Sequence, residues 1–346
     1  MLAEGWTIMR WSRWALKAAS AGLMLPALAW AAPPAREEPP HDPRTWLMRI
    51  HEAASTRNYQ GTLIVTSGGA SSASRVAHFT DGQHQYERVD WLDGEARSLV
   101  RHNDTVHTVW PRAKVALVEQ RDARAIFPAL LSGGERRVLQ WYELRRMGED
   151  RVAGLMADVV LLKARDGLRY SQRLWADQRT GLLLRSDVIA PSGQLLESVA
   201  FSELAIGVRP QPEAVMAALK ALPGYRVIRS QMLPTRLAAE GWAFTDSPTH
   251  PMPAGFREVH CARRSLDPTA SQGSPVVLQT IFSDGLTHVS LFIEPFDPAR
   301  HQAEVSTLVG ATQTLMVRRA DYWVTAMGDV PLDTLKKFMS ALERRR

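Results

Sequence analysis

The amino-acid sequence predicts an α+β protein made of two parts, and two observations lead to this prediction. Residues Arg169–Gly207 alternate apolar and polar side chains in three consecutive runs, which is typical of an antiparallel β-meander. The next stretch, residues 208–240, lacks this alternation and contains two prolines before a short helical pattern and a Pro-Gly pair after it. We therefore expect this stretch to connect a strand-rich region, 42–207, to a smaller region, 241–346.

The strand-rich region is expected to begin with one amphipathic helix. Asp42 is a good N-cap residue, and Pro43 suits the first helical position because its missing N–H has no intrahelical partner there. Apolar residues then recur at helical spacing as far as about Arg57. They are Trp46, Leu47, Ile50, Ala53 and Ala54.

After this helix, β-branched residues and turn signals predict a series of short strands. Asp81-Gly82 and Asp93-Gly94 are hairpin or turn signals, a Gly/Ser loop is expected at Gly68–Ser74, and short helices are expected within Arg121–Tyr142. The predicted strands before the meander are Tyr59–Ser67, Arg75–Thr80, His84–Trp91, Arg97–His102, Val106–Trp110, Lys114–Glu119, Tyr142–Met147 and Met156–Lys163.

The second strand of the meander has a two-residue period. This period places Leu182, Leu184 and Val188 on one face of the sheet. It places Arg185 and Asp187 on the other face, together with Leu183. We therefore expect this second face to be the wetter one, with more contact with solvent.

The C-terminal region is expected to be a small α+β unit. A short helix, Glu213–Leu222, precedes it, and Pro331 begins a final helix whose apolar side carries Leu335 and Phe338. Its predicted strands are Val276–Phe282, Thr287–Glu294, Thr312–Val317 and Tyr322–Met327.

The N-terminus has the pattern of an export signal, residues 1–31. Arg10, Arg13 and Lys17 form a cationic region, an apolar run follows to Trp30, and small residues precede a cleavage point after Ala31. Residues 32–41 are expected to form a flexible, proline-rich leader. The alternative is an N-terminal anchor that stays in the membrane, with Met1 or Met9 as the first residue.

Composition excludes several classes of protein. The formal net charge of +6 falls to +4 without the signal, whose three basic residues exceed its one acidic residue, Glu4, by two. This mild excess is compatible with anionic lipid or an acidic partner but not with nucleic-acid binding. Cys261 is the single cysteine, so no internal disulfide forms, and an exported protein without disulfides fits a bacterial periplasm.

No motif for catalysis, cofactor binding or metal binding is evident. His51-Glu52 resembles the start of a zinc-protease motif, but Ser55 stands where the second histidine is required. The chain has no phosphate loop, dinucleotide fingerprint or nucleophile elbow. We therefore expect a binding protein rather than an enzyme, with no catalytic, cofactor or metal residues.

An apolar cavity between the sheet and the first helix is the candidate lipid site. Trp110 shares a strand face with Val106 and Thr108, which makes it a candidate for the cavity lining. Leu184 and Val188, on one face of the meander, are the other candidates. The alternative is that all three are ordinary core or rim residues.

Several stretches of the sequence resemble the MucB/RseB family of periplasmic regulators of sigma-E-like factors. They occur in the same order as in the family and span nearly all of the chain after the signal. They are Asn58–Val65, Tyr86–Val100, Arg151–Gly154, Arg169–Gly207, Gln279–Pro295, Gly310-Ala311 and Asp321–Thr334.

The resemblance implies a fold and a function. The larger domain would be a lipoprotein-carrier-like (LolA/LolB-like) antiparallel half-barrel with covering helices. The protein would bind the periplasmic domain of a transmembrane anti-sigma factor, shield it from proteolysis, and be released by lipopolysaccharide or lipoprotein acyl chains. A stand-alone periplasmic lipoprotein or lipid carrier is the alternative, and homo-oligomerisation stays open.

The two domains are expected to share this work. The strand Val289–Phe296 is expected to present an edge or groove to the partner, with Phe292 and Phe296 as docking candidates. Leu291 and Ile293 are expected to pack against the final helix, with Phe292 on the opposite face. A flexible connection would then let lipid in the larger domain alter the grip of the smaller one on its partner.

The export signal generates the first testable prediction. N-terminal sequencing of the protein recovered from the periplasm should begin near Ala32, because signal peptidase cuts after small residues at the −3 and −1 positions. A chain that stays in the inner membrane with Met1 or Met9 intact would contradict the signal and favour an anchor.

Overall fold

A computed structural model describes residues 42–120, 135–220, 222–230, 232–245, 247–265, 276–301 and 303–345. The predicted signal peptide, its cleavage point and the leader lie outside the described residues. So does most of the predicted helical segment between Arg121 and Tyr142, of which one short helix is described.

Helix α1 spans Pro43–Thr56, and its first turn is held by the predicted N-cap. The carboxylate of Asp42 accepts hydrogen bonds from the Thr45 hydroxyl at 2.7 Å and from the Thr45 backbone N–H at 3.0 Å. These bonds lower the pKa of Asp42. All five of the predicted apolar positions of α1 are buried, so the prediction for this helix is confirmed.

Among the described residues, the larger sheet has twelve strands. In chain order they are β1 (Tyr59–Ser67), β2 (Ala70–Thr80), β3 (Gln85–Trp91), β4 (Ser98–His102), β5 (Thr105–Trp110), β6 (Val115–Gln120), β7 (Tyr142–Val152), β8 (Leu155–Ala164), β9 (Ser171–Asp177), β10 (Leu183–Ile189), β11 (Leu195–Ile206) and β12 (Arg226–Arg229), with helix α2 (Glu135–Trp141) before β7. Their spatial order is β12-β6-β5-β4-β3-β2-β1-β11-β10-β9-β8-β7. Neighbours are antiparallel apart from β12 and β6, and the outermost strands, β12 and β7, are not neighbours.

One face of this sheet curves around α1. Ala53 of the helix belongs to a buried cluster with Tyr59, Val76 and Val106, which lie on β1, β2 and β5. The N-terminal half of the helix packs in a second cluster with residues of β8, β9 and β10. An open antiparallel sheet that wraps a helix is a half-barrel, so the predicted fold class is confirmed.

A β-bulge in β10 overturns the predicted faces of the second meander strand. Leu183 pairs with Ala176, but Arg185, two residues on, pairs with Trp175, so Leu184 is an extra residue in the ladder. Because successive residues of β9 point to opposite faces, Leu183 and Arg185 do too. Leu183 is therefore fully buried against α1, and the expectation that it lies on the wetter face is wrong.

The predicted loop at Gly68–Ser74 is also shorter than expected. Gly68 and Gly69 alone form the turn, both with positive φ (57° and 83°), and β2 begins at Ala70. The serine-rich segment that looked like a loop instead pairs regularly with β1. The start of β2 has few apolar residues because it is exposed, and for this reason its sequence resembles a loop.

The connection between the two sheets is itself structured. Helix α3 (Pro212–Lys220) buries Val215 beside Phe79 and Val100 of the larger sheet. After it, β12 joins the larger sheet next to β6, and β13 (Leu233–Pro234) joins the smaller sheet. The connecting segment thus contributes a strand to each sheet, which differs from the flexible connection that we expected.

The described part of the C-terminal region contains a seven-stranded sheet and a covering helix. Its elements after β13 are β14 (Trp242–Phe244), β15 (Arg257–Ser265), β16 (Val276–Ser283), β17 (His288–Pro295), β18 (Val305–Val309), β19 (Thr312–Arg319), β20 (Tyr322–Gly328), α4 (Leu332–Ala341) and β21 (Leu342–Arg344), with β14 paired to β21. The order of the seven strands is β13-β15-β16-β17-β20-β19-β18, and α4 covers one face of the sheet. Leu335 and Phe338 of α4 are fully buried in the core beneath this sheet.

The bulge generates a stability prediction. Leu183→Ala should lower the free energy of unfolding by about 2–5 kcal/mol, because it leaves a cavity beneath α1. Leu195→Ala is the matched control, since Leu195 is 49% exposed, and it should change the free energy by less than about 0.5 kcal/mol. Urea denaturation followed by tryptophan fluorescence measures both. Equal values for the two variants would contradict the register of β10.

Candidate functional site

A buried ion pair joins the two sheets. Arg169 lies just before β9, and its Nε donates to Asp284 Oδ2 at 2.8 Å. Neither side chain is exposed to solvent. Because isolated charges are costly to bury, the full set of partners around this pair decides whether the contact is stable.

Every polar atom of the pair has a partner among the described residues. The guanidinium of Arg169 also donates to the backbone carbonyl of Ala254 at 2.5 Å and to Asp166. On the other side, Asp284 Oδ2 accepts from the Tyr142 hydroxyl at 3.0 Å. Asp284 Oδ1 accepts the backbone N–H groups of Leu286 and Thr287, both at 2.9 Å.

Aromatic rings complete this cluster. The Arg169 guanidinium lies 4.6 Å from the centre of the Trp141 ring and 5.1 Å from that of Phe256. Burial, with a contribution from the charge of Asp284, raises the pKa of Tyr142, which keeps its hydroxyl a donor. We name Tyr142, Arg169 and Asp284 the inter-sheet lock.

Two further contacts fix the smaller sheet against the larger one. The turn after β18 approaches the end of β1 so closely that a Cβ built on Gly310 would lie 1.7 Å from Ser67 Oγ. Gly310 also has a φ of +60°, so both space and backbone conformation require glycine there. Near the lock, the Thr334 hydroxyl of α4 donates to the Leu168 carbonyl at 2.6 Å.

The concave face of the larger sheet carries a second set of buried charges. Arg101 donates to Glu87 Oε2 at 3.1 Å, and both side chains are almost fully buried. His78, on the same face, stacks on Tyr59 with ring centres 5.1 Å apart. Burial lowers the pKa of His78 to about 4 and raises the pKa of Glu87 against the opposing effect of Arg101. The interior beneath α1 is therefore partly polar.

The described residues contain neither a metal-ion cluster nor a thiol with a lowered pKa. Within the described ranges, no group of three or more His, Cys, Asp or Glu side chains is placed to hold a metal ion. Cys261 is buried, and burial raises the pKa of its thiol to about 11, so it is a poor nucleophile at neutral pH. In the same ranges, no helix has both the length and the apolar character needed to cross a membrane.

Comparison with known proteins identifies the family. The model of the MucB/RseB N-terminal domain matches residues 42–219, and that of the MucB/RseB C-terminal domain matches residues 236–343. This chain belongs to the MucB/RseB family. The two matches together contain the inter-sheet lock, with Tyr142 and Arg169 in the first and Asp284 in the second.

Individual MucB/RseB proteins are similar over most of their length. The sigma factor AlgU regulatory protein MucB of Pseudomonas aeruginosa is 28% identical over 300 residues, which cover 86% of this chain and 89% of that protein. The sigma-E factor regulatory protein RseB of Escherichia coli K12 is 23% identical over 294 residues, 84% of this chain and 87% of that protein. A crystal structure of MucB in complex with MucA(peri) superimposes with a TM-score of 0.66 at 26% identity, covering 88% of this chain and all of that one (100%).

The structure does not gather the predicted lipid-binding residues into one lining. Trp110 is half-buried on the face that carries Val106, so it lies on the concave side that α1 covers. Leu184 is fully buried in a cluster with Trp175, away from Val106. Val188 is half-buried on β10. Five strands separate β5 from β10 in the described sheet, so lipid binding by these residues stays a prediction.

The predicted docking residues lie partly as expected. Leu291 and Ile293 are buried in the core with α4, whereas Phe292 is half-buried on the opposite face, as predicted. However, β17 lies between β16 and β20, so the expectation that this strand presents an edge is wrong. Phe296, beyond the strand end, stacks beneath the guanidinium of Arg318 at 3.9 Å. Docking by the two phenylalanines stays a prediction.

Sequence reasoning missed the inter-sheet lock. Asp284 lies in the turn between the predicted strands Val276–Phe282 and Thr287–Glu294, where a carboxylate that accepts the N–H groups of its own turn is ordinary. Nothing in the local pattern around Arg169 indicates a buried cation. Charged residues at strand starts are usually solvated, and 115 residues separate this pair.

The inter-sheet lock generates a stability prediction. Asp284→Ala should lower the free energy of unfolding by about 3–5 kcal/mol, because it leaves the buried charge of Arg169 without its main partner. Arg145→Ala is the control, since the Arg145–Glu143 pair is exposed, and little change is expected there. Guanidinium chloride denaturation measures both. If Asp284→Ala were as mild as the control, the lock would not be what holds the sheets together.

Proposed function

We propose that this protein is a periplasmic negative regulator of a sigma-E-like extracytoplasmic sigma factor. It binds the periplasmic segment of a membrane-spanning anti-sigma factor and shields that segment from the site-one protease. The sigma factor then stays sequestered. Envelope-stress lipids, lipopolysaccharide or the acyl chains of lipoproteins, release the complex.

One observation carries this proposal. The MucB chain that is similar over its whole length was crystallised in complex with MucA(peri), and 88% of the present chain takes part in the superposition. The superposition therefore includes both sheets. A regulator that works by binding needs a surface that fits its partner, and it needs no catalytic group.

Placement in the periplasm follows from the same proposal. The chain carries the pattern of an export signal and the single cysteine Cys261, which forms no disulfide within the chain. Cleavage after Ala31 would release the two domains, 42–207 and 241–346, joined by the connection 208–240.

Lipid sensing is assigned to the concave side of the larger sheet. A half-barrel with a covering helix suits acyl chains, and the buried pair Glu87–Arg101 suits a polar head group. A lipid changes the affinity for the anti-sigma factor only if it binds the free and the complexed protein differently. The inter-sheet contacts could transmit this effect, because a movement of the larger sheet would displace the smaller sheet that is bonded to it.

A stand-alone lipid or lipoprotein carrier is the second candidate. The open, helix-covered sheet favours it. The smaller sheet argues against it, since a carrier has no evident need for a second domain held by a buried ion pair.

Protection of the anti-sigma factor from cleavage tests the proposal. The purified protein should bind the recombinant periplasmic segment with micromolar or tighter affinity and slow its cleavage by the site-one protease. Addition of lipopolysaccharide should restore cleavage. Cleavage of a short unrelated peptide by the same protease is the control and should not change. Lipoprotein transfer without binding of the segment would favour the carrier instead.

A further inference from the structure

Among the described residues, the strand β18 forms an open edge of the smaller sheet. All five of its residues are exposed, including Val305 at 43%, Leu308 at 51% and Val309 at 68%. The strand carries no charged residue and no proline. An exposed, uncharged edge strand is a ready template for pairing with another chain.

The other described edges of the two sheets are protected. In the smaller sheet, β13 has two residues, one of them Pro234. In the larger sheet, β7 has a bulge between Arg146 and Gly148 and carries several charged side chains. The remaining edge, β12, contains Arg226 and Arg229. Short length, proline, bulges and charges all discourage strand addition. By contrast, β18 pairs with β19 without any register shift.

The turn that follows β18 decides which backbone groups face outward. Val309 pairs with Thr312 across a two-residue turn, and the residues that flank such a turn form a hydrogen-bonded pair. Hydrogen-bonded and non-hydrogen-bonded pairs then alternate along an antiparallel ladder. The N–H and C=O groups of Ser306 and Leu308 therefore point away from β19 toward the open edge.

The face of the sheet opposite α4 indicates the chemistry of an added strand. One row of paired residues runs across it from Phe292 through Thr325 and Met316 to Val305 at the edge. Met327 in the neighbouring row is 39% exposed. Methionine side chains adapt to varied apolar partners. A segment beside β18 would continue this row with an apolar residue next to Val305.

We propose that β18 accepts an extended, uncharged segment of the anti-sigma factor as an additional strand, with apolar side chains at alternate positions. This inference rests on the proposed function and names the surface that serves it. The backbone of Ser306 and Leu308 supplies the hydrogen bonds, and the row ending at Val305 supplies selectivity.

A second copy of the protein is a poorer occupant of the edge. Five residues of strand extend about 17 Å, and two such strands paired edge to edge bury far less than the roughly 800 Å² per partner of a stable interface. A peptide has no such limit, since the part of it that extends beyond β18 is free to contact other surfaces of the protein.

Paired substitutions at Leu308 separate backbone pairing from side-chain contact. Leu308→Pro removes the outward N–H without removing a bond to β19, whereas Leu308→Ala keeps the N–H and removes the side chain. With the recombinant periplasmic segment as the probe, Leu308→Pro should weaken binding at least tenfold. Leu308→Ala should weaken it less than about threefold. Thermal unfolding of each variant checks that the sheet is intact.

Residue-resolved hydrogen exchange of the unmodified protein gives an independent measurement. The amides of Ser306 and Leu308 should exchange rapidly in the free protein and slowly with the segment bound, whereas those of Thr307 and Val309 should be slow in both. If the unmodified protein fails to bind the segment, the proposed function is wrong and this inference with it. Binding that is equal for Leu308→Pro, with no new protection at Ser306 and Leu308, overturns the edge site alone.

Discussion

The arrangement of the whole chain depends on how the charge of Arg169 is compensated. Its guanidinium is fully buried where the two sheets meet, and its fully buried acidic partner, Asp284, comes from the opposite sheet. Separating the sheets would leave Arg169 with Asp166 alone as its acidic partner, and Asp284 with the N–H groups of its own turn. Water would solvate both, but the aromatic rings of Trp141 and Phe256 would lose their packing. Registry between the sheets is therefore a matter of electrostatics as much as of apolar contact.

This constraint changes the expected relation between the domains. We expected a flexible connection through which lipid in the larger domain alters the grip of the smaller one, but the described connection contributes a strand to each sheet. Gly310 is wedged against Ser67 at a separate point of the interface. Under the proposed function, coupling between a lipid in the larger domain and a partner on the smaller one would need no hinge. A small deformation of the half-barrel would move the contacts that the smaller sheet shares with it.

Local patterns predicted local structure well. Asp42 and Pro43 gave the start of α1, and Asp81-Gly82 gave the turn between β2 and β3, because capping and turn chemistry involve residues a few positions apart. The bulge at Leu184 was not predictable, since an extra residue in a ladder depends on the partner strand. The order of strands in a sheet was equally unpredictable from local patterns. We therefore expected β17 to present an edge although it is central, and we did not predict β18. Pairing partners distant in the chain are not encoded in any short window.

The sequence separation within the lock has a consequence for how the protein folds. Tyr142 and Arg169 precede Asp284 in the chain, and Asp284 follows 115 residues after Arg169. Until the turn that carries Asp284 has docked, the larger sheet holds a cation that has no buried counterion. The larger sheet can therefore complete its packing only after the smaller sheet has formed against it. Long-range contacts of this kind slow folding. Chains truncated before Asp284 would lack this counterion, and we expect them to pack more loosely around Arg169 than the full chain.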